Sequence, residues 1–579
     1  MQMCDVDCYG KCERTIYVNS KCILHCKKND YQEDRHSGLL KEFYTEFIKY
    51  TIGELFKHTE FLEDELSEEN LFTYFMSNDF NNEQYNNILN ETIFIPSCIH
   101  FPKRDSRDFF DYQKILNLFG QIHFNFCEFY LSSLDLKNIK CFFQDCMFHD
   151  SWTLYNYCLL ENDDDVIYQT CTFQKDISNY TPDKDKKLAI YDYSQFDYTC
   201  QFNSSIKFNR VKFSMPLFKT NQYNYLNDRT IGLLEFIQCT FEKKFELNKL
   251  KITLFTCFDS LFNGKFEFKE NEIDLFTVYN TNFESISDLY GCKFKRFNIE
   301  KSIFNNFAGF EKCIFGTENK LDEEVAVFKH TTFKDNFNIR DSKFLSGIDL
   351  RNTNLQGETN LLNAEINTNN TNRESFRVLK HSFDSIGNII EANKYYQKEM
   401  KKREEELRRD LPSNLFEWCI FKIHGLSSNH SQNSLLALFW IYIISLFFAL
   451  FVFYEKGDEY LNKFNCTFRN SWLNYTYNND GLFDFAIIII IPIILGIIFT
   501  LINNYGKIGL WILFCLFWTG SYILITHDYS LSIVANSVNP FSIITEKGTL
   551  TLGELLYKII IAYLIYQLII SIRQDTRRK

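Results

Sequence analysis

Cys4, Cys8, Cys12, Cys22, His25 and Cys26 crowd the start of the chain. A tetrahedral zinc ion takes four thiolate or imidazole donors. The run Cys22-Ile-Leu-His25-Cys26 offers such donors at close spacing, and Cys8-x3-Cys12 could supply the other pair. Bound metal would give this small, core-poor segment its fold. Because sulfur and nitrogen fill every position, the ion would be structural rather than catalytic. The bland alternative is a set of unligated thiols.

Enzymatic signatures are otherwise missing from the sequence. It contains no phosphate-cradling glycine loop, no nucleophile elbow and no His-Glu-x-x-His pair. His330, His381, His424, His430 and His527 do not cluster along the chain. The remaining candidates lie in the apolar C-terminal region. The connection 527–551, with His527, Asp528, Asn539 and Pro540, is long enough to re-enter a membrane and line a pore. An ordinary loop explains it equally well. Pro492 marks either a hinge or a tolerated kink.

These residues sit in a lopsided composition. Phe (61) and Tyr (33) far outnumber Gly (21) and Pro (7), so bulky sheet-formers abound where hairpin turns are scarce, which disfavours a β-sandwich. A net charge of -12 argues against nucleic acid as a partner. The 19 cysteines are scattered through apolar positions, so most are expected to be reduced core residues. No charged segment followed by an apolar run opens the chain, so a cleavable signal peptide is not expected and the soluble part should stay in the cytosol.

Four apolar stretches, 435–453, 482–502, 508–525 and 552–572, are each long enough to cross about 30 Å of hydrocarbon as a helix. An even number of spans leaves both ends on one side. Arg408, Arg409, Lys422, Lys507, Arg573, Arg577, Arg578 and Lys579 would face that side, against Lys456, Lys463, Arg469 and Lys547 on the other. This asymmetry places both ends and the preceding domain in the cytoplasm.

Between 119 and 366 a short signature recurs: a small residue, any residue, then Phe, Leu or Ile. Cys127-Glu-Phe129, Cys146-Met-Phe148, Cys171-Thr-Phe173, Cys239-Thr-Phe241, Cys292-Lys-Phe294, Cys313-Ile-Phe315 and Ser342-Lys-Phe344 display it. Large residues fall five apart, as in Phe208, Phe213 and Phe218, or near ten apart, as in Phe283, Phe294 and Phe304. Neither a helix nor simple alternation has that period. A step of five turns one large and one small side chain inward on each side of a coil, and stacked coils bury them in columns. Residues 151–188, acidic and out of register, read as loops bulging from one face. On these motifs the chain resembles the pentapeptide-repeat family. The resemblance implies a right-handed quadrilateral β-helix with four steps per coil and roughly a dozen coils. Cysteine-plus-histidine knuckles precede the repeats in some members, which supports zinc.

Residues 39–75 carry a helical pattern able to cap the first coil, with Phe43, Phe47 and Leu55 one or two turns apart. After 366 a second helical region follows, in which Phe376, Leu379 and Phe383 share a face and Gly387-Asn388 breaks the helix. The charged run 401–409 is either a solvated face or part of a lever to the membrane. This neck, with Leu426-Ser-Ser-Asn429-His-Ser-Gln432 and Tyr566-Gln567 near the end, resembles a bacterial group of membrane-bound pentapeptide-repeat proteins, whose C-terminal segment is likened to an ion-channel domain. No Thr-Val-Gly-Tyr-Gly-like filter is present, so potassium selectivity is not expected.

The expected organisation is a knuckle (1–38), a helical cap (39–118), a divergent pentapeptide-repeat solenoid (119–366), a helical neck (367–433) and a four-span α-helical bundle (434–579). The expected function is non-enzymatic: a bacterial inner-membrane protein, oligomeric, whose cytosolic solenoid binds a protein partner or senses a signal. Two alternatives stand beside it. One is an oligomeric pore-forming effector in a stress or phage-defence response. The weaker one is a membrane enzyme using His527 and Asp528.

Overall fold

The computed structural model describes residues 4–5, 12, 14–28, 39–58, 67–104, 107–136, 139–158, 166–180, 188–219, 229–319, 322–463, 506–526, 528–539 and 551–576. The chain forms two compact units, Met1–Val378 and Leu379–Lys579.

The first unit is a parallel β-solenoid of about ten turns. Its strands run from Ile93–Phe94, ahead of the point where the repeat becomes legible, to Glu365–Ile366. Most are two residues long and pair in parallel with the equivalent strand of the next turn. Thr240 pairs with Leu261, Asn282 with Ile303, and Thr332 with Asn354, while Phe245 pairs with Phe266, which pairs in turn with Ser287. Every one of these offsets overshoots four steps of five, so the turn is longer than the simple repeat.

The extra residue falls in one step of each turn: buried pairs stand at Cys239/Phe241, Phe245/Leu247, Leu250/Ile252, Phe255/Cys257 and Ser260/Phe262, so the step through Glu242 to Lys244 is six and the others are five. Lys249, Glu270, Gly291, Lys312, Asp341 and Asn363 follow one another at successive turns, all with positive φ. These left-handed residues mark corners inside steps of five. The conformation costs a non-glycine residue about 1–2 kcal/mol. From Lys249 to Asp341 each of these corners gains a backbone bond to the next turn: Lys249 N–H donates to Lys269 O at 2.9 Å and Glu270 N–H to Tyr290 O at 2.8 Å. The strands Leu250–Phe258, Glu272–Tyr279 and Lys293–Glu300 each run through two steps without a corner. Further on, the turn that pairs Ile314 with Lys343 is longer than its neighbours, because it includes an excursion closed by Glu324, whose carboxylate accepts from Thr317 N–H at 2.9 Å. The following turn carries one more residue near Gly347, which has φ +99°.

The stretch 151–188 departs from the loop expectation. It contributes the strands Trp152–Leu154, Tyr168–Gln169, Thr172–Phe173 and Ile177–Asn179, so the coil continues through it with Trp152, Tyr168 and Phe173 directed into the core.

The small-x-Phe signature has a physical origin. The small residue follows a left-handed corner and donates into the turn before it. The Cys146 thiol reaches Phe124 O at 3.4 Å, Cys171 reaches Phe143 O at 3.3 Å, Cys313 reaches Leu289 O at 2.7 Å, and Thr331 Oγ1 reaches Ile299 O at 3.2 Å. Thiols and hydroxyls thus satisfy carbonyls that a bare apolar core would leave unpaired. Two residues on, phenylalanines stack turn upon turn. Phe241, Phe262, Phe283 and Phe304 lie nearly parallel, with centroids 4.5, 5.0 and 4.5 Å apart. Cys98 is disulfide-bonded; every other described cysteine is free and most of them are buried, as expected for reduced core residues.

Both ends of the stack are closed. Helix α1, Leu39–His58, lays Phe43 and Phe47 against Phe101 of the first turn, at 6.3 and 5.8 Å. Helices α2 (Glu68–Ser77), α3 (Glu83–Glu91) and α4 (Gln113–Leu116) follow. At the other end, Thr371 Oγ1 accepts from Ile348 N–H at 3.2 Å and Ser375 Oγ from Leu350 N–H at 2.7 Å. Side chains from the start of helix α5, Arg373–Ser385, thereby occupy donors that an open edge would offer to another strand.

The second unit is helical. Helix α6 (Ile389–Arg409) begins at Asn388, whose side chain accepts from Glu391 N–H, so the break at Gly387-Asn388 falls where the sequence places it. Helices α7 (Leu411–Ser428), α8 (Ser434–Lys463), α9 (Gly506–Thr526), α10 (Ser532–Val538) and α11 (Leu552–Thr576) follow. Two of them, over Ser434–Val452 and Leu552–Gln574, are long and apolar enough to cross a membrane; Trp511–Leu524 is a shorter apolar helix. The stretch 482–502 lies outside the described residues.

Candidate metal centre

Ahead of α1 the chain folds back on itself. Val18 and Lys21 bridge across a turn in which Asn19 and Ser20 have positive φ. The backbone then tightens, with His25 N–H and Cys26 N–H both donating to Cys22 O, at 3.1 and 2.9 Å. That turn carries Cys22 and His25 to one side. Cys4 N–H donates to Arg14 O at 3.1 Å, and Cys22 N–H donates to the Cys4 sulfur at 3.2 Å, which draws the chain start onto the turn. His100 N–H of the first solenoid turn donates to Leu24 O at 2.8 Å and seats the knuckle.

The outcome is a group of four donors, Cys4, Cys12, Cys22 and His25, all within 4.8 Å of one another and able to hold a metal ion. Cys12 Sγ lies 3.9 Å from Cys22 Sγ; His25 Nδ1 lies 3.3 Å from Cys22 Sγ and 3.5 Å from Cys4 Sγ. Two sulfurs bound at about 2.3 Å to one tetrahedral ion stand about 3.8 Å apart, so these separations are those of tetrahedron edges. Burial, reinforced by the Cys12 thiol, pushes Cys22 up to about 12. Burial, aided by His100 and nearby cations, drops His25 to about 4, leaving a neutral imidazole at pH 7. A cation in the middle would reverse the penalty on the thiolates.

Cys26 does not join the four. Its sulfur accepts from the Lys28 ammonium at 3.1 Å, and that ammonium also donates to Ile23 O at 2.6 Å and Cys26 O at 2.8 Å. Cys8 lies outside the described residues, as do His527, Pro540 and Pro492. Asp528 and Asn539 stand at the two ends of helix α10 and are not part of the four-donor group. The Asp528 carboxylate accepts from Ser532 and Ile533 N–H, each at 3.0 Å, and from Tyr522 OH at 2.9 Å, while Asn539 O accepts from Lys558 at 3.0 Å.

A polar cluster beside the knuckle was not anticipated. Glu128 accepts from Tyr130 OH at 2.8 Å and lies 2.8 Å from His149 Nε2 and 3.5 Å from His100 Nε2. Burial raises its carboxyl, but the bond to His149 and the charge of His100 outweigh that and hold it at about 2. His149 stacks on Tyr130 at 4.2 Å. The signal available in sequence was the coil period, since Glu128 and His149 stand one turn apart. In the helical unit, the two segments Leu426 to Gln432 and Tyr566-Gln567 do come together: Ser428 and Ser431 hydroxyls donate to Gln567 Oε1 at 2.9 and 3.0 Å, and His424 Nε2 lies 3.1 Å from Ser431 Oγ.

No family model matches the chain, and neither a curated protein nor a solved structure shows significant similarity to it.

Proposed function

We propose that this chain is a non-enzymatic, membrane-anchored protein of the pentapeptide-repeat type, with a zinc-stapled knuckle and a solenoid that binds a protein partner at the cytoplasmic face of a bacterial inner membrane. The carrying observation is the helical unit. Over Ser434–Val452 and Leu552–Gln574 only 39% and 33% of the spans' residues are buried, so long apolar helices present bare Leu, Ile and Phe that water would penalise. Steps of five and six with inward Phe and Cys support the repeat family, and three thiols with one imidazole support zinc over harder ions. The excess of Lys and Arg at the chain end supports a cytoplasmic solenoid. A solenoid whose interior is filled by stacked rings offers its outer faces for recognition.

Alkaline carbonate extraction of membranes from cells making the full chain tests the anchor. The protein is expected in the pellet, and recovery in the supernatant overturns the reading. Elemental analysis of the purified chain is expected to find about one zinc per chain.

A second reading, an oligomeric pore, draws on Lys558. This ammonium is buried inside the helical unit and donates to Ser537 O at 3.3 Å and Asn539 O at 3.0 Å. Charged groups at membrane depth belong to conduction paths more often than to anchors. Planar-bilayer recordings of the reconstituted chain separate the two: a conductance altered by Lys558→Met selects the pore, and silence under every condition selects the anchor.

A further inference from the structure

Helix α7 precedes the first long apolar helix and has two unlike faces. One face is engaged by the rest of the helical unit. Glu417 accepts from Arg403 at 2.9 Å and Ser428 donates to Gln567, while Lys422 at the margin reaches Glu404 at 2.8 Å and Ser427, in the last turn of the helix, is buried 3.3 Å from Tyr563 OH. The other face is bare. Leu415, Phe416, Ile420, Ile423 and Leu426 are 54, 80, 51, 53 and 54% exposed. At about 100° per residue these five fall within one arc of roughly 140°. Apart from Lys422 at its margin, every exposed residue between Leu415 and Leu426 is apolar.

Chain continuity says what covers this stripe. Asn429, His430 and Ser431, with φ of 51°, 57° and 64°, turn the backbone out of α7, and α8 starts at Ser434. The Trp440 indole of α8 donates to Leu426 O at 2.9 Å, so the turn is pinned. The opening of α8 continues the bare apolar surface with Leu435 and Leu438, 53 and 51% exposed. Exposed basic residues flank the stripe: Arg408 and Arg409 just before α7, and Lys422 on it. An apolar arc bordered by cations, joined through one tight turn to a spanning helix, has the layout of a helix lying in a membrane interface.

We infer that α7 lies in the plane of the membrane surface, with Phe416, Ile420 and Ile423 immersed at the boundary between headgroups and acyl chains. This rests on the membrane-anchored reading. It adds that the neck is a surface-seated lever, so that a force transmitted through α6 must move α7 across the lipid interface.

The test places the photoreactive residue benzoylphenylalanine, one position at a time, at 416, 423, 417 and 438 of the full chain. The protein is reconstituted in phosphatidylethanolamine–phosphatidylglycerol vesicles, irradiated and analysed by mass spectrometry. Lipid adducts are expected at 416 and 423 with yields like that at 438, and about tenfold weaker at 417 on the engaged face. Adducts at 438 with none at 416 and 423 overturn the inference and leave the anchor standing. Absence at 438 as well overturns the anchor together with the inference. Cross-links from 416 or 423 to a second copy or to another protein also overturn it.

Discussion

Replacing Phe283 tests whether the solenoid stands by its stacked rings. The side chain is 2% exposed and lies between Phe262 at 5.0 Å and Phe304 at 4.5 Å, both within 3° of parallel, with Phe266 edge-on at 5.2 Å. Truncation to alanine removes the buried ring and leaves a cavity whose walls are strands paired above and below, which limits collapse. A cost of about 3–5 kcal/mol is expected. Phe283→Leu keeps most of the apolar volume but loses both parallel stacks, each worth about 0.5–1.5 kcal/mol, so about 1–3 kcal/mol is expected. Hydrogen exchange on the full chain reads this locally. At 1.4 kcal/mol per tenfold, alanine should speed exchange by roughly two to three and a half powers of ten in strands Asn282–Phe283 and Ile303–Phe304, with the effect fading over neighbouring turns because each turn contacts only its neighbours. Ile286→Ala, at a site 41% exposed, is the control. If Phe283→Leu costs no more than the control, or if protection is lost equally at Gln121–Asn125, the stacked column is not what holds the turns together.

Four further outcomes follow from the same geometry. Cys22→Ser should abolish metal content, whereas Cys26→Ser should retain it, since Cys26 faces Lys28; equal loss in both would overturn the assignment of the four donors. Cys292→Ser should cost under about 1 kcal/mol, because Ser342 fills the equivalent corner two turns on, while Cys292→Leu should cost about 1–3 kcal/mol by overpacking, as measured by the same exchange assay. Glu128 is held at about 2, below the roughly 4.3 of a free glutamate, so its contribution is complete above about pH 5 and is lost as pH falls through 2. The stability gap between wild type and Glu128→Gln should therefore close in acid, and a gap that widens there would refute the network. Asp528→Ala removes the acceptor shared by Ser532 and Ile533 and should raise exchange in α10 by about 0.5–2 kcal/mol, leaving α8 unchanged.

How much of this was legible in sequence depends on which residues carry the signal. Phe and Cys announce the solenoid because their two roles are chemically distinct: the ring fills the core, and the thiol, packing like a small apolar group, donates to a carbonyl of the turn before. The step of six was not legible, because it passes through polar residues such as Glu242 to Lys244, and the left-handed corners were hidden too, because they are Lys249, Glu270 and Lys312 rather than glycine or asparagine. Their positive φ is stabilised by the neighbouring turn, a partner a short window cannot contain. Residues 151–188 misled for a related reason. Their acidic run masks inward positions such as Trp152, Tyr168 and Phe173, which are correct in type but set farther along the chain from their partners than the regular turn would put them, as the pairing of Phe143 with Tyr168 shows.

The knuckle shows the same division between type and placement. Donor types pointed to a metal, and the turn from Cys22 to His25 is local enough to be read directly. Its partners are set by strand-like pairing of the chain start, Cys4 N–H to Arg14 O and Asp5 N–H to Ser20 O at 2.9 Å, which brings Cys4 onto the turn. Cys26, adjacent to His25, is turned away because the buried Lys28 ammonium needs acceptors, and Ile23 O, Cys26 O and the Cys26 sulfur supply them. Neither residue's spacing reveals this; it follows from the cost of leaving an ammonium 3% exposed without partners. The knuckle and the first turn are therefore one cooperative piece. Glu128 and His100 lie on the strands that seat the turn, and the same backbone bond from His100 to Leu24 O joins the four candidate donors to the coil. With an ion held by the four donors, its removal by a chelator should loosen strands His100–Phe101 and Glu128–Phe129 before any later turn, an order that hydrogen exchange would reverse if the knuckle merely hung from the solenoid.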